Sequence, residues 1–162
     1  MKRRYDTALY SSRIEKIKNL MPDCCIGVDV IVGFPGEGEE EFLTTQSFLD
    51  SLDISYLHVF TFSERENTVA ASLDNQVPQE EKAYRSKTLH KLSDEKRHAF
   101  QDKFLAQVRS VLFERSVNGM SQGYTDNYIR VQVAADVNYE NRLLEVTLNK
   151  NHGPYMNGLV IE

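Results

Sequence analysis

The first hundred residues alternate between segments with helical spacing of apolar residues and segments in which apolar residues are nearly continuous. Residues 7–20, 39–52 and 79–106 have the helical spacing, with charged residues at most other positions. Residues 26–34 and 54–62 are almost uninterrupted apolar runs, rich in β-branched residues. Such runs are typical of parallel strands covered on both faces. The order predicts a strand–helix–strand unit with a parallel crossover, flanked by two further helices.

The pattern changes near residue 106. Short β-type runs follow, at Val111–Phe113, Tyr128–Ala134 and Leu143–Leu148, and turn-forming residues separate them: Gly119, Gly123, Asn138, Asn141 and the run Asn151 to Pro154. Several short strands at close spacing predict a small β-barrel. The fold class is therefore α/β, with residues 1–106 forming an α/β part and residues 107–162 an all-β barrel.

Composition excludes several classes of protein. The 162 residues are 41% hydrophobic and 27% charged, as in a globular protein, and the net charge is -5. Because phosphate contacts need Lys and Arg, any RNA binding must come from a local patch rather than the whole surface. No apolar run is long enough to cross a bilayer, and no secretory signal follows Met1. We expect no membrane partner and a cytoplasmic location.

The cysteines and histidines predict no metal site. Cys24 and Cys25 are the only cysteines and are neighbours, which makes a poor disulfide and no metal site of ordinary spacing. We interpret them as small side chains leading into a strand, in a reducing compartment. His90 and His98 are too far apart along one predicted helix to share an ion.

Two loops follow the ends of the predicted parallel strands. The turn from Gly33 to Gly36 ends the first, where glycines let a ligand approach the backbone and the N-terminus of the next helix. Ser63 to Ala70 follows the second strand, and Arg65 is suited to a carboxylate or phosphate. Both loops are expected on the rim where α/β proteins bind ligands. A structural turn explains the glycines about as well, and a solvated loop explains Arg65.

Four motifs, in one order along nearly the whole chain, resemble those of radical-SAM tRNA methylthiotransferases. They are M-x-R-x-Y at Met1 to Tyr5, P-D-x-x-I-G-x-D-x-I-V-G-F-P-G-E at Pro22 to Glu37, F-x-x-S-x-R-x-x-T-x-A at Phe60 to Ala70, and Q-V-P-x-x-x-K-x-x-R-x-x-x-L-x-x-L-S at Gln76 to Ser93. Residues 57–60 and 123–128 are most similar to the branch that acts on N6-threonylcarbamoyladenosine. They are less similar to the branches that act on isopentenyladenosine or on a ribosomal-protein aspartate.

The resemblance implies that the chain is the C-terminal part of such an enzyme. Residues 1–106 would complete a partial radical-SAM barrel, similar to a TIM barrel, and residues 107–162 would form a TRAM domain that binds tRNA. The residues expected near S-adenosylmethionine or the substrate are Arg3, Ile31, Gly33, Glu37, Ser63 and Arg65. The residues expected to contact RNA by stacking or on phosphates are Tyr124, Tyr128, Arg130, Lys150 and His152. For any one tyrosine, packing in a small barrel is the competing interpretation.

The resemblance also implies iron–sulfur (4Fe-4S) clusters in the complete enzyme, one of them held by a C-x-x-x-C-x-x-C motif. That motif is absent here, so the chain alone is expected to be inactive and to hold neither the clusters nor S-adenosylmethionine stably. The alternative hypothesis is a free-standing RNA-binding module whose α/β half is structural. The expected partners are tRNA and the missing N-terminal part of the same protein. Because strand 26–33 lacks an earlier neighbour, a homodimer or strand-exchanged oligomer is a further expectation.

Overall fold

A computed structural model describes residues 5–65, 68–134 and 136–161. The chain divides into two compact units, residues 1–96 and 97–162. This division falls within the last helix, whereas the sequence places the boundary after that helix, at residue 106. Among the described residues, no helix combines the length and the apolar character that a membrane span requires.

The first unit contains the predicted strand–helix–strand arrangement. Its elements are α1 (Thr7–Leu20), β1 (Gly27–Val32), α2 (Glu39–Ser51), β2 (Tyr56–Thr61), a short 3-10 turn (Val69–Ser72) and most of α3 (Gln79–Asp102). The strands β1 and β2 pair in parallel along their whole length, with Gly27 opposite Tyr56 and Val32 opposite Thr61. The predicted parallel unit is confirmed.

Side chains alternate between the two faces of this sheet. On one face Val28, Val32 and Leu57 are buried in a core with α1, α2 and α3, whose contributions include Ile14, Phe42, Leu49, Leu89 and Leu92. On the other face Ile31 is 39% exposed and Phe60 53% exposed. The expectation that both faces are covered is therefore wrong for the described residues. Asp29 and His58 lie on this same exposed face.

The second unit contains a closed five-stranded barrel, which confirms the predicted β-barrel. Its strands are β3 (Val108–Val117), β4 (Met120–Thr125), β5 (Arg130–Ala134), β6 (Leu143–Asn151) and β7 (Met156–Val160). They follow the order β3-β4-β5-β7-β6, with every pair antiparallel except β5 and β7. Fully buried side chains fill the interior: Val111, Phe113, Val131, Val146, Leu148 and Met156.

Several boundaries differ from the prediction. The helix α3 ends at Asp102 rather than near residue 106, because Ala106 adopts a φ of 62° and its N–H donates to the carbonyl of Leu148. The strands β4 and β7 were not predicted, and Tyr128, predicted to begin a strand, lies in the loop before β5.

Candidate functional site

The loops that follow β1 and β2 leave the sheet at the same end of the strands, as the sequence predicts. The N–H of Phe62 donates to the carbonyl of Val32 at 2.8 Å, which holds the two chain segments side by side just past the strands. Beyond this bond the rings of Phe34 and Phe62 meet edge to face, with centroids 5.1 Å apart. The two predicted ligand-binding loops therefore share one rim.

The carboxylate of Glu37 is engaged within the protein. Its Oε1 accepts the N–H of Gly33 at 3.0 Å and Nη1 of Arg85 at 2.8 Å. Arg85 also donates to the Glu37 carbonyl at 2.9 Å and to Oε2 of Glu81 at 3.0 Å, and its guanidinium lies over the ring of Phe42. Glu37 thus closes the glycine turn and fixes it to α3. Sequence reasoning missed Arg85, although it stands in the fourth family motif.

Backbone conformation and close packing both require a glycine at position 33. Its φ is 78°, a conformation that side chains rarely adopt, and an added Cβ would lie 2.4 Å from Cγ of Lys82. Lys82 is only 6% exposed, and its Nζ lies 5.6 Å from the centre of the Phe62 ring. The turn is therefore packed against α3 through a lysine stem.

The other residues predicted near S-adenosylmethionine are exposed. Ile31 lies on the uncovered sheet face, in register with Phe60, while Ser63 and Arg65 follow β2 in solvent. Arg3 lies outside the described residues. A strand face with exposed apolar side chains beside a glycine turn suits the adenosyl part of such a cofactor.

The residues do not fit an iron–sulfur cluster. Cys24 and Cys25 are both half-buried, and two adjacent thiols cannot provide the three ligands of the family motif. Within the described residues, no group of three or more His, Cys, Asp or Glu side chains is placed to hold a metal ion.

Three of the residues predicted to contact RNA lie together on the outside of the barrel. Tyr124 on β4 is in register with Arg130 on β5, and the rings of Tyr124 and Tyr128 are 5.4 Å apart. Arg130 Nη2 donates to Oε1 of Gln122 at 2.9 Å, and Arg115 donates to the same oxygen. Sequence reasoning missed Arg115 and Gln122.

The loop between β4 and β5 presents Tyr128 to solvent. The hydroxyl of Thr125 accepts the N–H of Ile129 at 2.9 Å and donates to Oδ1 of Asn127 at 2.6 Å, and Thr125 and Asn127 are both buried. Tyr128 is left with a φ of 66° and 74% exposure. A bulky residue rarely adopts this conformation, so its neighbours hold it there with its ring exposed.

Arg115 faces outward because of a β-bulge. The register of β3 against β4 shifts between Phe113 and Arg115, so Phe113 opposite Gly123 points inward and Arg115 opposite Gln122 points outward. The strands are so close here that a Cβ on Gly123 would lie 2.1 Å from the carbonyl oxygen of Leu112. The glycine that resembled a turn in the sequence is a close-packing position within a strand.

The remaining two predicted RNA contacts lie elsewhere on the barrel. Lys150 on β6 is opposite Asn157 on β7, whose amide lies 3.2 Å from Nε2 of His152. The His152 ring stacks on Tyr155 at 5.3 Å. Gln132 on β5 stands between this group and the first one, since it pairs with both Gln122 and Asn157. The five residues thus form two groups on the outer surface.

The chain thus combines an α/β unit, in which two strand-end loops share one rim, with a small barrel that carries aromatic and guanidinium groups on its outside. Comparison with known proteins gives the family: the chain belongs to the tRNA methylthiotransferases and corresponds to a C-terminal segment of them. No protein-family model matches the chain.

The relatives come from two branches of that family. The chain is 34% identical to the threonylcarbamoyladenosine tRNA methylthiotransferase MtaB of Bacillus subtilis, with 98% of the chain and 36% of the relative aligned. It is 32% identical to the tRNA-2-methylthio-N(6)-dimethylallyladenosine synthase of Wolinella succinogenes, over 98% of the chain and 37% of the relative. It is 35% identical to MtaB of Aquifex aeolicus, over 82% of the chain and 31% of the relative. The chain thus spans about a third of the length of these relatives.

Proposed function

We propose that this chain is part of a cytoplasmic radical-SAM enzyme that adds a methylthio group to N6-threonylcarbamoyladenosine in tRNA. The observation that carries the proposal is the similarity, over 98% of the chain, to a relative named for that substrate. Relatives of the dimethylallyladenosine branch are similar to the same degree, at 32% to 34% identity. The choice of branch therefore rests on residues 57–60 and 123–128.

In this proposal the first unit is the last part of a SAM-binding barrel. The parallel register of β1 and β2, their shared rim and the uncovered face with Ile31 and Phe60 support it. Strands of a closed barrel keep one face toward its interior, which the rest of the enzyme would complete. The bound cofactor supplies the radical. This chain's residues bind the adenosyl group along the uncovered face, while Glu37 and Arg85 hold the turn in place.

The second unit would be a TRAM-type barrel that binds tRNA. The exposed Tyr128, the neighbouring Tyr124 and the outward guanidinium groups support this assignment, since RNA is bound by stacking on aromatic rings and by contacts to phosphates. Deleting residues 107–162 from the complete enzyme should abolish most tRNA affinity and leave binding of S-adenosylhomocysteine intact. Unchanged tRNA affinity would contradict the assignment.

The activity is tested by mass spectrometry of tRNA nucleosides. A strain without the corresponding gene should regain 2-methylthio-N6-threonylcarbamoyladenosine when it carries the complete gene. The 162-residue chain should not restore it, because the cluster cysteines are absent. Recovery of the methylthiolated dimethylallyladenosine instead would refute the branch. Recovery of neither nucleoside would refute the enzyme assignment and favour an RNA-binding module with a structural α/β half.

A further inference from the structure

Two arginines on the outside of the barrel share one neutral acceptor. Arg115 donates to Oε1 of Gln122 from Nε at 3.0 Å and from Nη2 at 2.6 Å, and Arg130 donates to the same oxygen at 2.9 Å. We propose that this arginine pair, Arg115 and Arg130, binds one backbone phosphate of RNA while Tyr124 and Tyr128 stack on the adjoining nucleotide. The inference rests on the proposed RNA-binding role of the barrel and assigns it to particular side chains.

The arginine pair has no acidic partner in the part of the chain that the structure describes. Among the described residues, no carboxylate lies within ion-pair distance of either guanidinium. The acid nearest in sequence, Glu114, lines the same groove of about 300 Å³ but pairs with neither arginine. By contrast, Arg109 on the same strand is paired with Asp126 at 3.0 Å. Two unneutralised guanidinium groups side by side offer the several parallel N–H donors that a phosphate accepts.

The backbone, rather than the side chains alone, sets this geometry. The bulge in β3 turns Arg115 outward beside Gln122, and the antiparallel register sets Arg130 beside Tyr124. Gln122 is half-buried, so its amide is an anchored support for both cations. A site arranged before the ligand arrives loses less side-chain entropy on binding.

The two tyrosines supply a surface for a base. Their rings are tilted by 40° to one another, and Tyr128 is 74% exposed. Stacking of bases on such rings is tolerant of sequence and occurs next to phosphate-binding cations in RNA-binding barrels. The pairing of Tyr124 with Arg130 places ring and guanidinium on neighbouring strands, which suits the base and phosphate of adjoining nucleotides.

The decisive variant is Gln122→Glu, which keeps both arginines but gives them a carboxylate. Binding of an unmodified tRNA transcript to the 162-residue chain is measured over a salt series. We expect about tenfold weaker binding, and a decrease of about 0.7–0.9 in the slope of log K against log salt, the value for one lost phosphate contact. Gln107→Glu is the matched control and should change neither value. It makes the same change just before β3, roughly 20 Å or more from Arg115 along that strand.

A structural role predicts the opposite behaviour. If Gln122→Glu raises the thermal midpoint while tRNA affinity and salt slope stay as in the unchanged chain, the arginine pair only supports the fold and the inference is overturned. If Gln122→Glu does not fold, Arg115→Gln provides the same binding test, because it removes one exposed side chain. If the unchanged chain binds no tRNA at any salt concentration, the RNA-binding role of the barrel fails first. Binding that persists with an unaltered slope in the variants refutes the arginine pair alone.

Discussion

Replacing Arg85 with methionine should destabilise the first unit strongly. The Arg85 side chain is 6% exposed, and its main partner, the Glu37 carboxylate, is 17% exposed. In Arg85→Met the apolar stem is largely kept over Phe42, while Glu37 retains only the N–H of Gly33 among the donors seen here. The substitution therefore leaves a poorly solvated carboxylate without its cation.

The expected magnitude follows from these exposures. Removing one partner of a fully buried ion pair costs about 3–5 kcal/mol, because the remaining charge is uncompensated. The second partner, Glu81, is 55% exposed and is rehydrated when Arg85 is removed. We therefore expect the lower end of the range, about 3 kcal/mol of unfolding free energy.

Urea unfolding followed by circular dichroism measures this loss. With a slope of about 2 kcal/mol per molar urea, the midpoint of the first unit should fall by roughly 1.5 M. The control is Lys91→Met in the same helix. Its ammonium is 3.6 Å from Glu95 and both side chains are well exposed, so the cost should stay below about 0.5 kcal/mol.

A loss below about 1 kcal/mol in Arg85→Met, or a loss no larger than that of Lys91→Met, would refute this account of the turn. A double-mutant cycle with Glu37→Gln adds a sharper criterion. The coupling free energy between the two positions should exceed about 1 kcal/mol, since the groups are in direct contact. A confirmed coupling means that any loss of activity in a Glu37 variant has to be separated from loss of stability.

Three further predictions concern other parts of the chain. Gly123→Ala should lower the thermal midpoint of the barrel by several degrees or prevent its folding, because the new Cβ meets backbone at 2.1 Å. Gly119→Ala should lower the midpoint less, because its Cβ meets nothing within 4 Å and only its positive φ is unfavourable. Burial, with Tyr5 and Asp29 nearby, raises the pKa of Tyr10 above its ordinary value of 10.0, so the folded state favours the neutral phenol. The resulting free energy of stabilisation is retained below about pH 10 and is lost as the pH rises further. Tyr10→Phe should reduce that loss in urea titrations. In sedimentation at micromolar concentration the 162-residue chain should form dimers or larger oligomers through the outer edges of the two-stranded sheet β1–β2. A clean monomer with slow amide exchange along β1 would contradict this.

The first unit could be predicted from the sequence because its signals are local. The continuous apolar runs correctly give two parallel strands, and the spacing of apolar residues gives α1 and α2 to within a residue. The uncovered face could not be foreseen, since an apolar strand looks the same whether its cover comes from this chain or from another segment. The burial of Arg85 depends on Glu37, 48 positions away in the sequence, and no periodicity reveals such a pairing.

The barrel was harder to predict in detail. Short runs of β-type residues indicate a barrel, but β4 is polar on its outer side and contains Gly123, so it resembles a turn in sequence. Arg115 was missed for a related reason. Simple alternation from the buried Phe113 would place residue 115 inside the barrel, and only the bulge reverses this. A bulge is a property of two paired strands and leaves little trace in either one alone.

The bulge at Glu114 also makes the pairing register of the β3–β4 hairpin part of its chemistry. If β3 slipped by one residue, so that Glu114 instead of Arg115 paired with Gln122, regular alternation would return and Arg115 would point into a barrel interior already filled by side chains such as Phe113. During evolution, this hairpin can exchange outward residues freely, but a slip of one residue between its two strands would turn Arg115 inward. We expect relatives that keep this surface to differ here by substitution and to accumulate their insertions elsewhere, as in the loop between β5 and β6.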